Sequence, residues 1–322
     1  MKLQGTVRAV CISAQKGTEK RPVEKGVLIP DFGIENDAHA GKWHRQVSLL
    51  SYESVQAFNE QGAGVSDGDF GENLLVEGID LKSLPVGTIL RARSAVLRIT
   101  QIGKACHSDC AIRQRTGDCI MPREGIFAEV LEGGEVRAGD TVSAELPDPG
   151  RPFRAAVITL SDRGARGERK DESGPTAVQI LEDAGYEIVE TVLLPDEPEQ
   201  LKKELCHLAD RRQVDLIITS GGTGFSPRDR TPEATLAVAD RNAPGFAEYI
   251  RMKSMEITSR AVLSRGVSVI RKKTLIINLP GSPKAVRESL GFILDSLGHG
   301  LKVLRGNVEE CGNQGVQGSL WT

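Results

Sequence analysis

Aromatic residues are scarce in this chain: phenylalanine, tryptophan and tyrosine make up 4% of its 322 positions. Proteins that hold single-stranded nucleic acid stack bases on exposed rings, so the shortage argues against that class. An excess of one charge is lacking too. Lys and Arg number 41 against 44 Asp and Glu, a net of −3, which offers no basic footprint to nucleic acid or to an anionic membrane. No apolar run approaches the roughly 20 residues of a bilayer span. The start, Met1-Lys2-Leu3-Gln4-Gly5-Thr6-Val7-Arg8, lacks the apolar segment of a secretory signal. The expected compartment is the cytoplasm, with neither nucleic acid nor membrane as partner. There is no Cys-x-x-Cys pair and no internal repeat.

What is present suits a globular protein, with 39% hydrophobic and 26% charged residues. The length is about twice that of a usual single domain, so two domains are expected. Leu146-Pro147-Asp148-Pro149-Gly150-Arg151-Pro152 carries a proline-glycine density that neither helix nor strand tolerates. We therefore expect a first domain over 1–146, a linker over 147–152, a second domain over 153–306 and a polar tail over 307–322.

Before the linker the chain reads as short strands at Gly5 to Ile12, Val47 to Leu50, Leu74 to Val76, Ile89 to Ala92, Val96 to Ile99 and Thr141 to Ala144. Tyr52, Val55 and Phe58 fall at helical spacing after Ser51. The expected fold is mostly β and barrel-like. After the linker, strands at Ala155 to Leu160, Ile188 to Leu194, Val214 to Ser220 and Lys273 to Leu279 alternate with helices at Gly174 to Ala184, Gln200 to Arg211 and Pro283 to Leu297. That alternation predicts an α/β, doubly wound and mostly parallel sheet.

In such a sheet ligands sit beyond the carboxyl ends of the strands. The ends carry Ser161-Asp162-Arg163, Pro195-Asp196-Glu197, Gly221-Gly222-Thr223-Gly224 and Pro280-Gly281-Ser282-Pro283. Consecutive glycines let backbone N–H groups turn inward around an anion. Ser226, Arg228 and Asp229 follow in the same loop, then Thr231-Pro232-Glu233 reads as a helix start with Thr231 as cap. Taken alone, a glycine turn of this kind also occurs as a plain connection, and Asp162 and Asp196 as ordinary turn or cap residues.

The loop resembles that of the molybdopterin adenylyltransferase family. The likeness continues through Thr235 to Arg241, Pro244-Gly245-Phe246, Leu263-Ser264-Arg265 and Leu279 to Lys284, and spans about residues 153 to 305. It implies ATP-dependent adenylylation of molybdopterin with Mg²⁺, and a homotrimer. The family keeps two essential acidic residues at the positions of Asp196 and Asp229, which are the expected catalytic and metal-binding carboxylates. Ser161, Asp162, Gly221, Gly222, Thr223, Gly224, Ser226, Arg228, Ser264, Arg265, Pro280, Gly281, Ser282 and Lys284 are the expected ligand contacts. Molybdate insertases and a family of nucleotide pyrophosphatases share the fold; Thr235 to Arg241 and Pro244-Gly245-Phe246 fit the adenylyltransferases better.

Cys106, Cys110 and Cys119 crowd one region of the first domain. Lys104 and His107 beside Cys106 would raise its thiolate fraction, as a persulfide carrier or molybdenum ligand requires. The same cysteines also read as small buried hydrophobes, or as a zinc site completed by His107 or His39. Gly103 to Cys110, with Asp37 to Gly41, Arg45 to Leu50 and Phe70 to Leu74, is similar to a MOSC domain over about residues 5 to 145. That resemblance implies binding of the molybdenum cofactor and sulfur handling through a cysteine. It makes Cys106 the expected reactive residue, with His39 and Arg45 on the cofactor's phosphate and pterin. Both halves thus point to molybdenum cofactor biosynthesis, with molybdate insertase and molybdoenzymes as downstream partners. A cofactor carrier without turnover, or sulfur transfer or hydroxylamino reduction centred on the first domain, are the alternatives.

Overall fold

A computed structural model describes residues 3–105 and 117–306. They form two compact units, one built mainly of residues up to Asp148 and the other mainly of residues from Pro149 onward. The strands of the first are β1 (Leu3–Ile12), β2 (Arg21–Val23), β3 (Lys25–Ile29), β4 (Gly33–Ile34), β5 (Val47–Ser51), β6 (Leu74–Glu77), β7 (Ile89–Ala92), β8 (Ala95–Ile102), β9 (Ile126–Glu132), β10 (Gly134–Arg137) and β11 (Thr141–Glu145). Helix α1 (Tyr52–Glu60) follows β5, and the single turn α2 (Met121–Glu124) precedes β9.

Seven of these strands close a barrel in the order β11, β7, β8, β9, β5, β6, β1, and β1 pairs back onto β11. Two-residue alternation builds it: Leu90, Ala92, Val142 and Ala144 point inward, while Arg91, Thr141 and Glu145 are exposed. Val7, Leu49, Val76, Leu97, Ile99 and Ala128 complete the interior. Strand β5 is buried at every residue because a second apolar cluster covers its outer side. There Leu50 and Leu75 meet Val55 and Phe58 of α1, with Phe70, Met121 and Phe127. The barrel-like expectation holds. The sequence reading omits β9 and the short β2, β3, β4 and β10.

In the second unit, strands β12 (Arg154–Leu160), β13 (Glu187–Leu194), β14 (Leu216–Ser220), β15 (Arg241–Asn242), β16 (Ser268–Arg271) and β17 (Thr274–Leu279) form one sheet in the order β13, β12, β14, β17, β16, β15. The first four run parallel; β16 and β15 are antiparallel. The helices are α3 (Asp162–Ala165), α4 (Ser173–Asp183), α5 (Pro198–Cys206), α6 (Thr231–Ala237), α7 (Gly245–Met255) and α8 (Pro283–Arg305).

Adjacent residues of each central strand feed opposite faces. Val157, Ile218 and Ile277 pack with Leu181 of α4, Ile250 of α7 and Val286, Leu290, Ile293 and Leu297 of α8. Ile158, Ile217 and Ile276 pack with Leu201 and Leu205 of α5 and Ala234 of α6. Burial on both faces is why these strands read as unbroken apolar runs. Helix α8 runs past the expected end at Leu297, because Leu301 prolongs its buried stripe despite Gly298 and Gly300. The helix expected over Gln200 to Arg211 ends at Cys206 and gives way to a wider turn, His207–Arg211. Thr231 lies inside α6, whose cap is Arg230.

The far end of α8 is tied down by charge. Arg305 donates from Nε and Nη2 to Asp215 at 3.0 and 2.9 Å, Arg151 donates to the same carboxylate at 2.9 Å, and the Arg154 backbone N–H adds a contact at 2.8 Å. Burial pushes the Asp215 carboxyl up, but the Arg305 and Arg154 hydrogen bonds and the Arg151 charge hold it below the ordinary carboxylate range.

Candidate functional site

The strand order sets β13, β12, β14 and β17 side by side and parallel, so their carboxyl ends share one edge. Asp162 follows β12, and Asp196 follows β13. The two lock each other: the Asp162 N–H donates to Asp196 Oδ2 at 2.9 Å, and the Asp196 N–H donates to Asp162 Oδ1 at 3.0 Å. Ser161 caps the short α3 by accepting the Gly164 N–H at 3.0 Å.

After β14 the chain turns through Gly221 and Gly222, at φ values of +109° and +63°. A Cβ on Gly221 would stand 2.3 Å from the Leu160 carbonyl oxygen, and one on Gly281 would stand 3.2 Å from Gly221 Cα. The two glycines therefore let β12, β14 and β17 end against one another. Gly221 donates its own N–H to the Leu279 carbonyl at 3.1 Å, so its part is to make the turn. The Asp229 carboxylate folds back on the same loop and accepts the Ser226 N–H at 2.9 Å. A Cβ on Gly222 would lie 3.3 Å from Asp196 Oδ1, and one on Gly224 would lie 2.9 Å from Asp229 Oδ2. Both carboxylates thus border the glycine loop.

Their electrostatics differ. Hydrogen bonds from Arg228, then from the Asp196 N–H, hold the Asp162 carboxyl below its ordinary range. Burial pushes Asp196 upward; the Asp162 N–H opposes this, and the Asp162 and Asp229 charges add to the rise. Carboxylates crowded in this way attract a cation.

Two of the three basic residues expected to meet the ligand here, Arg228 and Arg265, are engaged elsewhere. Arg228 donates to Asp162 at 3.1 and 2.8 Å and pairs with Glu197 at 2.9 Å. Arg265 donates to the Gly224 carbonyl at 2.7 Å, to the Asp229 carbonyl and to Glu233. Ser264 gives its carbonyl to Arg251 at 2.6 Å. Ser282 caps α8 by accepting the Ala285 N–H at 3.2 Å, and the Pro280 carbonyl accepts the Ser220 hydroxyl at 3.1 Å. Lys284 is 80% exposed, 3.7 Å from Glu288. Glu197, Glu233 and Ser173, whose hydroxyl donates to the Gly281 carbonyl at 2.7 Å, escape the sequence reading. A Ser-Gly-Pro at a helix start was the available signal for Ser173.

The first unit holds a cavity of about 430 Å³ lined by His39, Trp43, Arg45, Asn73, Lys104 and Phe127 among others. The Arg45 guanidinium lies 4.5 Å from the Trp43 ring centre and 5.6 Å from that of Phe127, a cation held between aromatic faces. Beneath His39 a buried ion pair joins Lys20 to Asp37 at 2.7 Å. His39 Nδ1 is 3.8 Å from Asp37, and burial, then the Lys20 charge, lowers the imidazole's affinity for a proton. Cys119 lines the cavity too. Cys106, His107 and Cys110 lie outside the described residues. Among the described residues no cluster of three or more His, Cys, Asp or Glu is placed to hold a metal ion, and no helix is long and apolar enough to cross a membrane.

Comparison with known proteins gives each unit a family. Residues 156–299 match the family described as a probable molybdopterin binding domain, and residues 36–143 match the MOSC domain. The molybdopterin adenylyltransferase of Escherichia coli K12 is 44% identical over 150 residues, 46% of this chain and 76% of that protein. The enzyme of the same name from Helicobacter pylori J99 is 38% identical over 168 residues, 50% of this chain and 93% of that protein. A solved structure of the molybdopterin biosynthesis enzyme MoaB from Thermus thermophilus is 49% identical, with a TM-score of 0.46, covering 48% of this chain and 97% of that one. The chain is thus a fusion of a MOSC domain with a molybdopterin-binding domain. It belongs to the molybdopterin adenylyltransferase family of molybdenum cofactor biosynthesis.

Proposed function

We propose that the second domain, over 153–306, transfers the adenylyl group of ATP to the phosphate of molybdopterin, releasing pyrophosphate. The first domain, over 1–146, binds the cofactor and delivers or sulfurates it; 147–152 is the linker and 307–322 a polar tail. The observation that carries the reading is the meeting of Asp162, Asp196 and Asp229 with the glycine loop at one strand edge. Read as doubly wound, the sheet offers its ligand crevice there.

The donor set suits Mg²⁺. That ion takes one or two carboxylates and completes its shell with phosphate oxygens and water, and two carboxylates border the loop. Asp196 and Asp229 would hold it, and bound there it neutralises charge on the triphosphate. The rest falls to this chain's own groups. The N–H groups of Gly222, Thr223 and Gly224 seat a phosphate, and the Ser161 and Ser282 hydroxyls, each already accepting an N–H, remain able to donate. Positioning of the acceptor phosphate against the α-phosphorus supplies most of the rate. In the first domain, Arg45 and His39 take the cofactor's phosphate and pterin, and Cys106 its sulfur chemistry. The assembly is a homotrimer that passes its product to a molybdate insertase and so to molybdoenzymes.

The test is to incubate the full chain with molybdopterin, ATP and Mg²⁺, following pyrophosphate release and the mass of the pterin. Adenylylated product in wild type and none in Asp229→Ala, with the fold intact, is the expected result. Pterin that binds but stays unmodified in wild type overturns the assignment in favour of a carrier.

A further inference from the structure

The geometry points to Arg228 and Arg265 as positioning residues, one for each carboxylate of the site, and not as contacts to the ligand. This rests on the adenylylation reading above and adds to it an assignment of which cations leave the phosphates to the backbone.

Every nitrogen of the Arg228 fork is engaged within the protein. Nε and Nη2 meet the two oxygens of Asp162 at 3.1 and 2.8 Å, and Nη1 meets Glu197 at 2.9 Å. A bidentate pair of this kind fixes the plane of the carboxylate as well as its place. Asp162 is the residue whose N–H and Oδ1 hold both the side chain and the backbone of Asp196, and Glu197 is the next residue in the chain. Arg228 therefore clamps Asp196 from both sides, through Asp162 across β12 and through Glu197 along β13.

Arg265 does the corresponding work for Asp229. Its backbone N–H donates to the Thr223 carbonyl at 2.9 Å, and its side chain bridges the Gly224 and Asp229 carbonyls and ends on Glu233. These contacts close the loop whose inner side carries the Asp229 carboxylate, which itself meets the Ser226 N–H. Freed from either arginine, the carboxylate it serves loses its aim.

The two readings of Arg228 predict opposite outcomes for kinetics of the full chain with ATP, Mg²⁺ and molybdopterin. A clamp makes Arg228→Gln lower kcat about tenfold or more, while KM for both substrates and the calorimetric Kd for molybdopterin alone stay within about threefold. Arg228→Lys restores little, since one ammonium cannot hold the fork, and Asp162→Asn adds nothing further to Arg228→Gln. Glu197→Gln, an exposed change that leaves the cation in place, also lowers kcat. A phosphate contact instead raises KM or Kd about tenfold in Arg228→Gln, and Glu197→Gln, by freeing the guanidinium, leaves kcat intact or tightens binding. Either of those results overturns the inference while the adenylylation reading stands. A wild type without turnover removes that reading, and the inference with it. Arg265→Lys is expected to show the same split.

Discussion

The turn after β14 allows a prediction worked from the coordinates. In Gly221→Ala the new methyl would meet the Leu160 carbonyl oxygen at 2.3 Å, and that oxygen belongs to a strand paired on both sides. Neither partner can yield without shifting the sheet. The backbone is also at φ +109°, a conformation whose cost for a residue with a Cβ is about 1–3 kcal/mol. Overpacking against a fixed neighbour adds about 1–3 kcal/mol. A loss of about 2 kcal/mol or more lowers the melting temperature of a unit this size by at least about 4 °C. Gly224→Ala is the matched control. Its methyl would meet Asp229 Oδ2 at 2.9 Å, and a carboxylate at the end of a side chain swings away at small cost, so the melting temperature should hold while adenylylation falls. Calorimetry of the full chain together with pyrophosphate release separates the two. A Gly221→Ala protein with wild-type melting and turnover refutes the steric argument. A Gly224→Ala protein with unimpaired turnover refutes the placing of Asp229 in the chemistry.

Other consequences concern buried charge. Arg305→Ala leaves Asp215, 8% exposed in its side chain, with Arg151 as its remaining cation; loss of one member of a buried pair costs about 3 kcal/mol, read as a fall of about 6–12 °C in the second unit's melting. Because Asp215 is held below its ordinary range when folded, its contribution is present above about pH 4 and fades as the pH falls through the folded value. Asp215→Asn should flatten that acid limb in urea titrations, and an unchanged limb contradicts the assignment. Glu72 has the opposite sign: burial pushes its carboxyl up to about 7, so folding favours its protonated form and stability drops as pH rises from about 4.5 to 7. Glu72→Gln should therefore stabilise the first unit at pH 8 by up to about 3 kcal/mol, with no gain at pH 4; equal stability at both is the refuting outcome. The Cys11 thiol, pushed up to about 12 chiefly by burial, should resist alkylation at pH 8 until the protein is unfolded, which mass spectrometry of the modified peptide reads directly.

Much of the second unit was legible in the sequence for a physical reason. Strands buried on both faces leave long β-branched runs, and runs such as Leu216, Ile217 and Ile218 can hardly be read otherwise. The glycines after them were legible as well, because a positive φ and the close approach of Gly221 to Gly281 leave no other residue. The barrel was harder. Its strands β1, β5, β6, β7, β8 and β11 were read from their apolar runs, while β9, with Glu129 and Glu132 in its run, and the short β2, β3, β4 and β10 were not. Least legible was the use of the arginines. Arg228 beside a glycine loop reads as a ligand contact, since its partner Asp162 lies 66 positions away in the chain, and no local pattern announces a pair at that separation. Glu72 shows the same limit: its side chain is buried with Oε2 unpartnered, while its neighbours Gly71 and Asn73 suggest an exposed turn.

The two sites handle charge in contrasting ways. In the first unit the Arg45 guanidinium lies over the Trp43 and Phe127 rings on the wall of a 430 Å³ cavity, a cation set against aromatic faces. At the strand edge of the second unit, Arg228 and Arg265 are committed to protein acceptors, and the Asp196 and Asp229 carboxylates border the loop. If the edge takes a triphosphate as proposed, two of its arginines are already committed, so nucleotide affinity should fall when Mg²⁺ is withheld, and calorimetry with and without the ion reads this directly.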